Sequence, residues 1–188
     1  MKRVTAVVLC LAVCVLFTGC GKKGPDSTVG STAVAKYIEN GSIPECKFSL
    51  GADRDEVLSG VKEALNETGY VGEEGEDMPE YTEYETESYY VISTEEFNYY
   101  FGLDDGKLKC IAAFGDSYGF SHGAVITEVR DSMEKNGHTA SEGTVLPQDA
   151  FFLYGNAERT KLEYTFGSNT AMFVFEDNAL CATALIAG

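Results

Sequence analysis

Residues Phe48 to Val57 spell FSLGADRDEV and residues Phe120 to Val129 spell FSHGAVITEV, so six of ten positions agree at a spacing of 72 residues. At the same spacing FGLDDGKLKCIA, from Phe101, aligns with FVFEDNALCATA, from Phe173. The second alignment keeps Phe101/Phe173, Asp105/Asp177, Leu108/Leu180 and Ala112/Ala184. Two ungapped windows at one offset indicate an internal duplication. In each half an apolar stripe with helical spacing follows the motif: Val57, Val61 and Leu65 with Leu58 in the first, Ile126, Val129 and Met133 in the second. Asp53 with Glu56 three residues later forms a candidate capping box, whereas Val125 gives the second helix no side-chain cap.

Strand-like runs follow each helix. In the first half they are Tyr89 to Ser93, Phe97 to Leu103 and Lys107 to Phe114, with YTEY near Tyr81 as a fourth. In the second half they are Phe151 to Tyr154, Leu162 to Phe166, Thr170 to Phe175 and Leu180 to Ile186. LDDGKL and FEDNAL then occupy equivalent hairpin turns, in which Asp-Gly and Asp-Asn tolerate positive φ. The expected fold class is therefore α+β, with two tandem repeats, each a helical segment packed on an antiparallel sheet of about four strands. The expected divisions are a signal at 1–20, a flexible tether at 21–44, and repeat units at 45–115 and 116–188.

Between the halves lies GDSYG, Gly115 to Gly119, which has the G-x-S-x-G spelling of a nucleophile elbow. The duplication makes it a junction, and its counterpart in the first half, IPECK, has no serine. The last histidine, His138, follows Ser117 by about twenty residues, too few for the parallel strands that hold a hydrolase acid and base apart. A small serine hydrolase using Ser117 and His138 is thus the alternative reading, and no catalytic residue is expected.

The first twenty residues, MKRVTAVVLCLAVCVLFTGC, have Lys2 and Arg3, then an apolar core to Phe17, then Thr18 and Gly19 before Cys20. This is a secretory signal whose apolar core is shorter than the roughly 18 residues of a spanning helix. Its end resembles the lipobox of bacterial lipoproteins, with Phe17 in place of the usual leucine. The resemblance implies that Cys20 is acylated and becomes the membrane anchor, and that the protein is extracytoplasmic. The whole chain has a net charge of −16, and without the signal it keeps 12 basic and 30 acidic side chains, a net −18. Nucleic acid is excluded as a partner on that balance. The tether, GKKGPDSTVGSTAVAKYIENGSIP, is rich in Gly, Ser and Thr, as suits a spacer. With Cys20 acylated, Cys46, Cys110 and Cys181 allow at most one disulfide, so no disulfide framework is expected. Cys110 and Cys181 stand one step apart in the alignment and are expected on opposite sides of their strands, as small core residues.

The repeated Gly-x-Asp-x-x-Glu-Val opening a helix is carried by Gly51, Asp53, Glu56 and Val57, and more loosely by Gly123, Glu128 and Val129. This pattern, in tandem and followed by antiparallel strands, resembles the superfamily of SmpA/OmlA-type envelope lipoproteins and β-lactamase inhibitory proteins. The resemblance implies a binding module, an inhibitor or an envelope assembly factor, with the sheets of two units forming one concave face. It carries over no partner-contacting residue. The inhibitor members have a disulfide in each unit, and here the second unit has only Cys181.

Gly72 to Glu96 holds ten acidic residues, no basic one, and Tyr81, Tyr84, Tyr89 and Tyr90. Tyrosines supply rigid amphipathic contact area and carboxylates steer a cationic partner. The same composition also fits core-facing tyrosines on a half-exposed strand. The candidate partner-binding residues are Tyr81, Tyr84, Tyr89, Tyr90, Glu80, Glu83, Glu85 and Glu87, on one sheet face, for a protein or peptide with a basic surface. Residues 45–115 sum to −13 and residues 116–188 to −6, so the halves have diverged in charge. There is no calcium-loop pattern, and Asp104, Asp105, Glu176 and Asp177 are turn residues. His122 and His138 are too isolated for zinc, so neither cofactor nor metal is expected. A solute-binding lipoprotein is the remaining alternative, for which the chain is short.

Overall fold

The computed structural model describes residues 31–67, 81–135, 137–146, 150–155 and 157–188. The elements in chain order are α1 (Ser31–Glu39), α2 (Arg54–Glu67), β1 (Tyr81–Glu85), β2 (Tyr89–Thr94), β3 (Phe97–Gly102), β4 (Leu108–Ala113), α3 (Ile126–Glu134), β5 (Ser141–Val145), β6 (Arg159–Phe166), β7 (Asn169–Glu176) and β8 (Ala179–Ile186). All strands belong to one antiparallel sheet ordered β1-β2-β3-β4-β8-β7-β6-β5.

This overturns the α+β expectation of two tandem helix-on-sheet units. The architecture of the described residues is mostly β, one eight-stranded sheet with only three short helices among them, of 9, 14 and 9 residues. The reason lies in the two strands that meet at its centre. LKCIAA of β4 and ALCATALI of β8 show no apolar–polar alternation, and both are mostly buried. A four-stranded unit ending at either strand would expose an apolar edge with unpaired backbone groups. Pairing β4 with β8, Cys110 opposite Ile186 through Ala113 opposite Thr183, removes both edges at once.

Residues opposite one another on paired strands share a face, so the register divides the side chains into two layers. One layer contains Ile92, Phe101, Ile111, Leu162, Phe173 and Leu185, and the helices cover it with Val34, Ile38, Val57, Val61, Val129 and Met133. Gly60 lets α2 approach Phe48: a Cβ there would stand 2.5 Å from the ring. The other layer contains Val91, Tyr100, Cys110, Ala112, Val174 and Ala184, and none of the described helices covers it. Ala150, Phe152 and Leu153, between β5 and β6, are buried on it instead.

What recurs at the spacing of 72 is a backbone clamp. Gly51 and Gly123 have φ of 86° and 88°, in the region open to glycine. Their N–H groups donate to the carbonyls of Leu108 and Leu180, each at 2.8 Å. Leu108 and Leu180 donate in return to Ala52 and Ala124, each at 2.9 Å. The turns are not equivalent, however. Residues 103–107 connect β3 to β4, whereas Asp177 and Asn178, with φ of 52° and 67°, close β7 to β8 as a two-residue turn.

Three further expectations change. Phe151 to Tyr154 is not a strand; the fourth strand of the second half is Ser141–Val145, with Glu142 opposite Leu162. Of the stretch expected as a tether, residues 31–44 belong to the folded body: Val34 and Ile38 of α1 are fully buried, and Asn169 donates to the carbonyls of Ile38 and Glu39 at 3.0 and 3.1 Å. Cys110 and Cys181 lie on the same face, both against the helix-free layer. A bulge shifts the β7–β8 register between Val174 and Phe175 and leaves Cys181 beside Ala182 on one side. Cys46, Cys110 and Cys181 are free thiols, and burial pushes Cys110 up from its ordinary pKa.

Candidate functional site

The register splits the four tyrosines of the acidic stretch. Glu85 opposes Tyr90 and Glu83 opposes Ile92, placing Tyr81, Glu83, Glu85 and Tyr90 on the helix side. There the Tyr90 hydroxyl donates to the Glu83 carboxylate, which holds its pKa up at about 12, and the Arg54 guanidinium lies over the Tyr90 ring, 4.8 Å from its centroid. The Lys62 ammonium lies 5.8 Å from the Tyr81 ring. Tyr84, opposite Val91, and Tyr89 belong to the helix-free side. Glu87 is exposed in the β1–β2 turn, and Glu80 lies outside the described residues. The expected single face of tyrosines and carboxylates is therefore two half-sets with different neighbours.

On the helix-free side the segment Phe151–Tyr154 completes an aromatic surface that sequence reading assigned to a strand. Its exposure alternates in pairs: Phe152 and Leu153 are buried, while Phe151 and Tyr154 are 45% and 62% exposed. Phe151 stacks on Tyr89 with centroids 4.7 Å apart and meets Tyr100 edge-on at 4.8 Å. Tyr154 lies 6.4 Å from the Phe114 ring. Its hydroxyl is 3.5 Å from that of Tyr84, itself 38% exposed, and accepts from Asn98 Nδ2 at 3.3 Å. Asn98 is 2% exposed and also donates to the Tyr100 hydroxyl at 3.2 Å. Burial, and then the contact with Tyr154, push Tyr84 up to about 12. A buried amide thus fixes two tyrosine hydroxyls, and the rings present a preorganised apolar surface with polar tips. Such rings contribute about 0.5–1.5 kcal/mol per pair beyond burial. The one sequence signal for this was FFLY itself, four large residues that a short surface strand would not need.

GDSYG forms a turn. Ser117 and Phe120 exchange two backbone hydrogen bonds of 2.9 Å, and Tyr118 and Gly119 between them have φ of 54° and 77°. The adjacent N–H groups of Tyr118 and Gly119 both donate to the Glu45 carboxylate, at 2.9 Å each. That nest of amides is therefore already occupied by an anion of the chain itself. The Ser117 hydroxyl is fully buried and 2.8 Å from that of Thr183, and His138 packs edge-on against Phe166. Ser117→Ala is expected to lower stability by about 1–3 kcal/mol, because Thr183 is left with a buried unpaired hydroxyl. Adding Thr183→Val should recover most of that loss in urea unfolding; no recovery would show that the pair is not the cause.

Among the described residues no three or more His, Cys, Asp or Glu side chains are grouped to hold a metal ion, and no helix is long and apolar enough to cross a membrane. No protein-family model matches the chain, and no curated protein does. Among solved structures, the crystal structure of a DUF4309 family protein, YjgB, from Bacillus subtilis subsp. subtilis str. 168 is similar. It matches at 10% sequence identity over 85% of this chain and 96% of that one, with a TM-score of 0.49.

Proposed function

We propose that this protein is a lipid-anchored, extracytoplasmic binding module that holds a protein or peptide against the aromatic surface of Tyr84, Tyr89, Phe151 and Tyr154. The carrying observation is that three large, exposed aromatic side chains, Tyr84, Phe151 and Tyr154, gather on the sheet face that none of the described helices covers. Exposed aromatic clusters of this kind mark contact surfaces more often than isolated apolar residues do. Tyrosine and phenylalanine already held by ring contacts lose little side-chain freedom on binding, so contact area converts efficiently into affinity.

Anchoring through Cys20 supports the same reading. Only ten residues, 21 to 30, separate that cysteine from α1, and fully extended they reach at most about 35 Å. The body would stay near the membrane surface, where it meets envelope components rather than distant solutes.

The test compares the immobilised protein with a Phe151→Ser/Tyr154→Ser variant in capture from envelope and culture-medium fractions. Both side chains are partly exposed but pack on the sheet, so the variant should still unfold cooperatively at a modestly lower melting temperature, which confirms that folded proteins are being compared. A specific protein retained by the first and released at least tenfold more readily by the second is the expected result. Equal retention by both would remove the aromatic surface from the proposal.

A further inference from the structure

We infer that the partner docks as an added strand on the outer edge of β1, through a segment that places an apolar residue between two basic ones. The inference rests on the reading of the aromatic face as a contact surface and adds to it the backbone that holds the partner and the order of the partner's side chains.

β1 ends the sheet, and among the described residues β2 is its one strand neighbour. Thr82 to Glu85 are exposed and Tyr81 is half-buried. The hydrogen bond from the Thr86 N–H to the Tyr89 carbonyl, 2.8 Å, fixes which backbone groups face which way. Bonded pairs alternate along an antiparallel ladder, so Tyr84 and Thr82 turn their N–H and C=O groups to Val91 and Ser93 of β2. Tyr81, Glu83 and Glu85 turn theirs outward, where no described backbone group meets them. Such a row is a template for an extended chain, whose own N–H and C=O groups supply the missing partners.

Side chains set what that chain carries. In an antiparallel addition, the partner residues opposite Glu83 and Glu85 share the face of those carboxylates. The partner residue between them falls beside Tyr84, on the aromatic side. Among the described residues Glu83 and Glu85 are in no salt bridge, and Glu83 accepts from the Tyr90 hydroxyl through one oxygen. Two cations stand on the same face: Arg54, over the Tyr90 ring, pairs with Asp55 at 3.7 Å, and Lys62 lies over Tyr81. Lys62 disfavours a further basic residue opposite Tyr81. The segment that fits, read along β1 from Glu85 to Tyr81, is therefore basic, apolar, basic, then two uncharged residues.

A second copy of this chain does not fit. Two β1 strands paired about Glu83 would set Glu83 against its own copy and bring both Glu85 side chains to the same face. At the far edge of the sheet, β5 has no aromatic residue, and its Glu142 is held by Arg130 at 2.6 Å.

The experiment titrates fluorescent SGKFKVTGS against the purified full chain in mild detergent, beside SGEFEVTGS and two backbone-methylated forms of the first peptide. Methyl groups on the amide nitrogens of both lysines remove donors that face β1, whereas those on the phenylalanine and valine amides point away from it. The lysine-methylated form is expected to bind at least about tenfold more weakly than the parent, and the other form within about twofold of it. SGEFEVTGS should bind roughly fivefold or more weakly than SGKFKVTGS, a gap that closes as salt rises. Glu83→Gln/Glu85→Lys should weaken SGKFKVTGS and strengthen SGEFEVTGS. Equal binding of the two methylated forms would overturn strand addition; if Phe151→Ser/Tyr154→Ser still weakened the parent peptide, the contact surface would stand. A methylation effect of the expected phase that the aromatic variant leaves untouched, with parent binding also unchanged, would overturn the aromatic reading alone. Equal binding of the lysine and glutamate peptides would overturn the basic pattern, and failure of SGKFKVTGS to bind would overturn the inference as a whole.

Discussion

Phe173→Ala is expected to cost about 3–5 kcal/mol of folding stability, the range for removing a fully buried phenylalanine. Phe173 is 0% exposed on β7, opposite Leu162 and Thr183, between the strands that carry the second half of the sheet. Three rings lean on it: Tyr118 at 5.8 Å, Phe120 at 5.8 Å and Tyr164 at 6.0 Å between centroids. The cavity would be lined by these rigid rings, which collapse into it less readily than aliphatic side chains do, so the loss should fall at the upper part of the range. The check is the midpoint of urea unfolding, with an unchanged slope showing that the same surface is still exposed. A loss below about 1 kcal/mol would mean that Phe173 is not the centre of this packing.

Ile38→Ala should cost about 2–5 kcal/mol, a large effect for a residue in a stretch whose composition describes a spacer. Ile38 is 0% exposed in the helix-side core, and its carbonyl accepts from the side-chain amide of Asn169 at the start of β7. A residue in a solvated linker would change stability by less than about 0.5 kcal/mol. Equilibrium unfolding therefore separates a docked α1 from a tether by severalfold. Tyr37→Ala, at a neighbouring position that is 37% exposed, serves as the control and should have a much smaller effect.

Much of the secondary structure was legible because its signals are local. Helical spacing at Val57, Val61 and at Ile126, Val129, Met133 marks the faces that α2 and α3 bury. Period-two and aromatic runs located seven of the eight strands, missing only β5, whose SEGTV has a single buried residue. α1 was missed for a related reason: among its described side chains only Val34 and Ile38 are fully buried, and the flanking Gly, Ser and Thr dominate its composition. The candidate site was half legible. Tyr84 and Tyr89 lie on the aromatic surface, whereas Tyr81 and Tyr90 turn to the helices.

What the sequence determined by itself was the alphabet of elements, the acidic balance, and the repeated Phe-Ser-x-Gly-Ala motif, because each depends on residues close in the chain or on bulk charge. The tertiary structure alone decided that β4 pairs with β8, which merges two expected sheets into one. It also decided that Phe151–Tyr154 lies across that sheet and that a bulge puts Cys181 on the face of Cys110. These are contacts between residues tens of positions apart. Their selection depends on which apolar surfaces would otherwise remain in water, a comparison that no single stretch of chain contains.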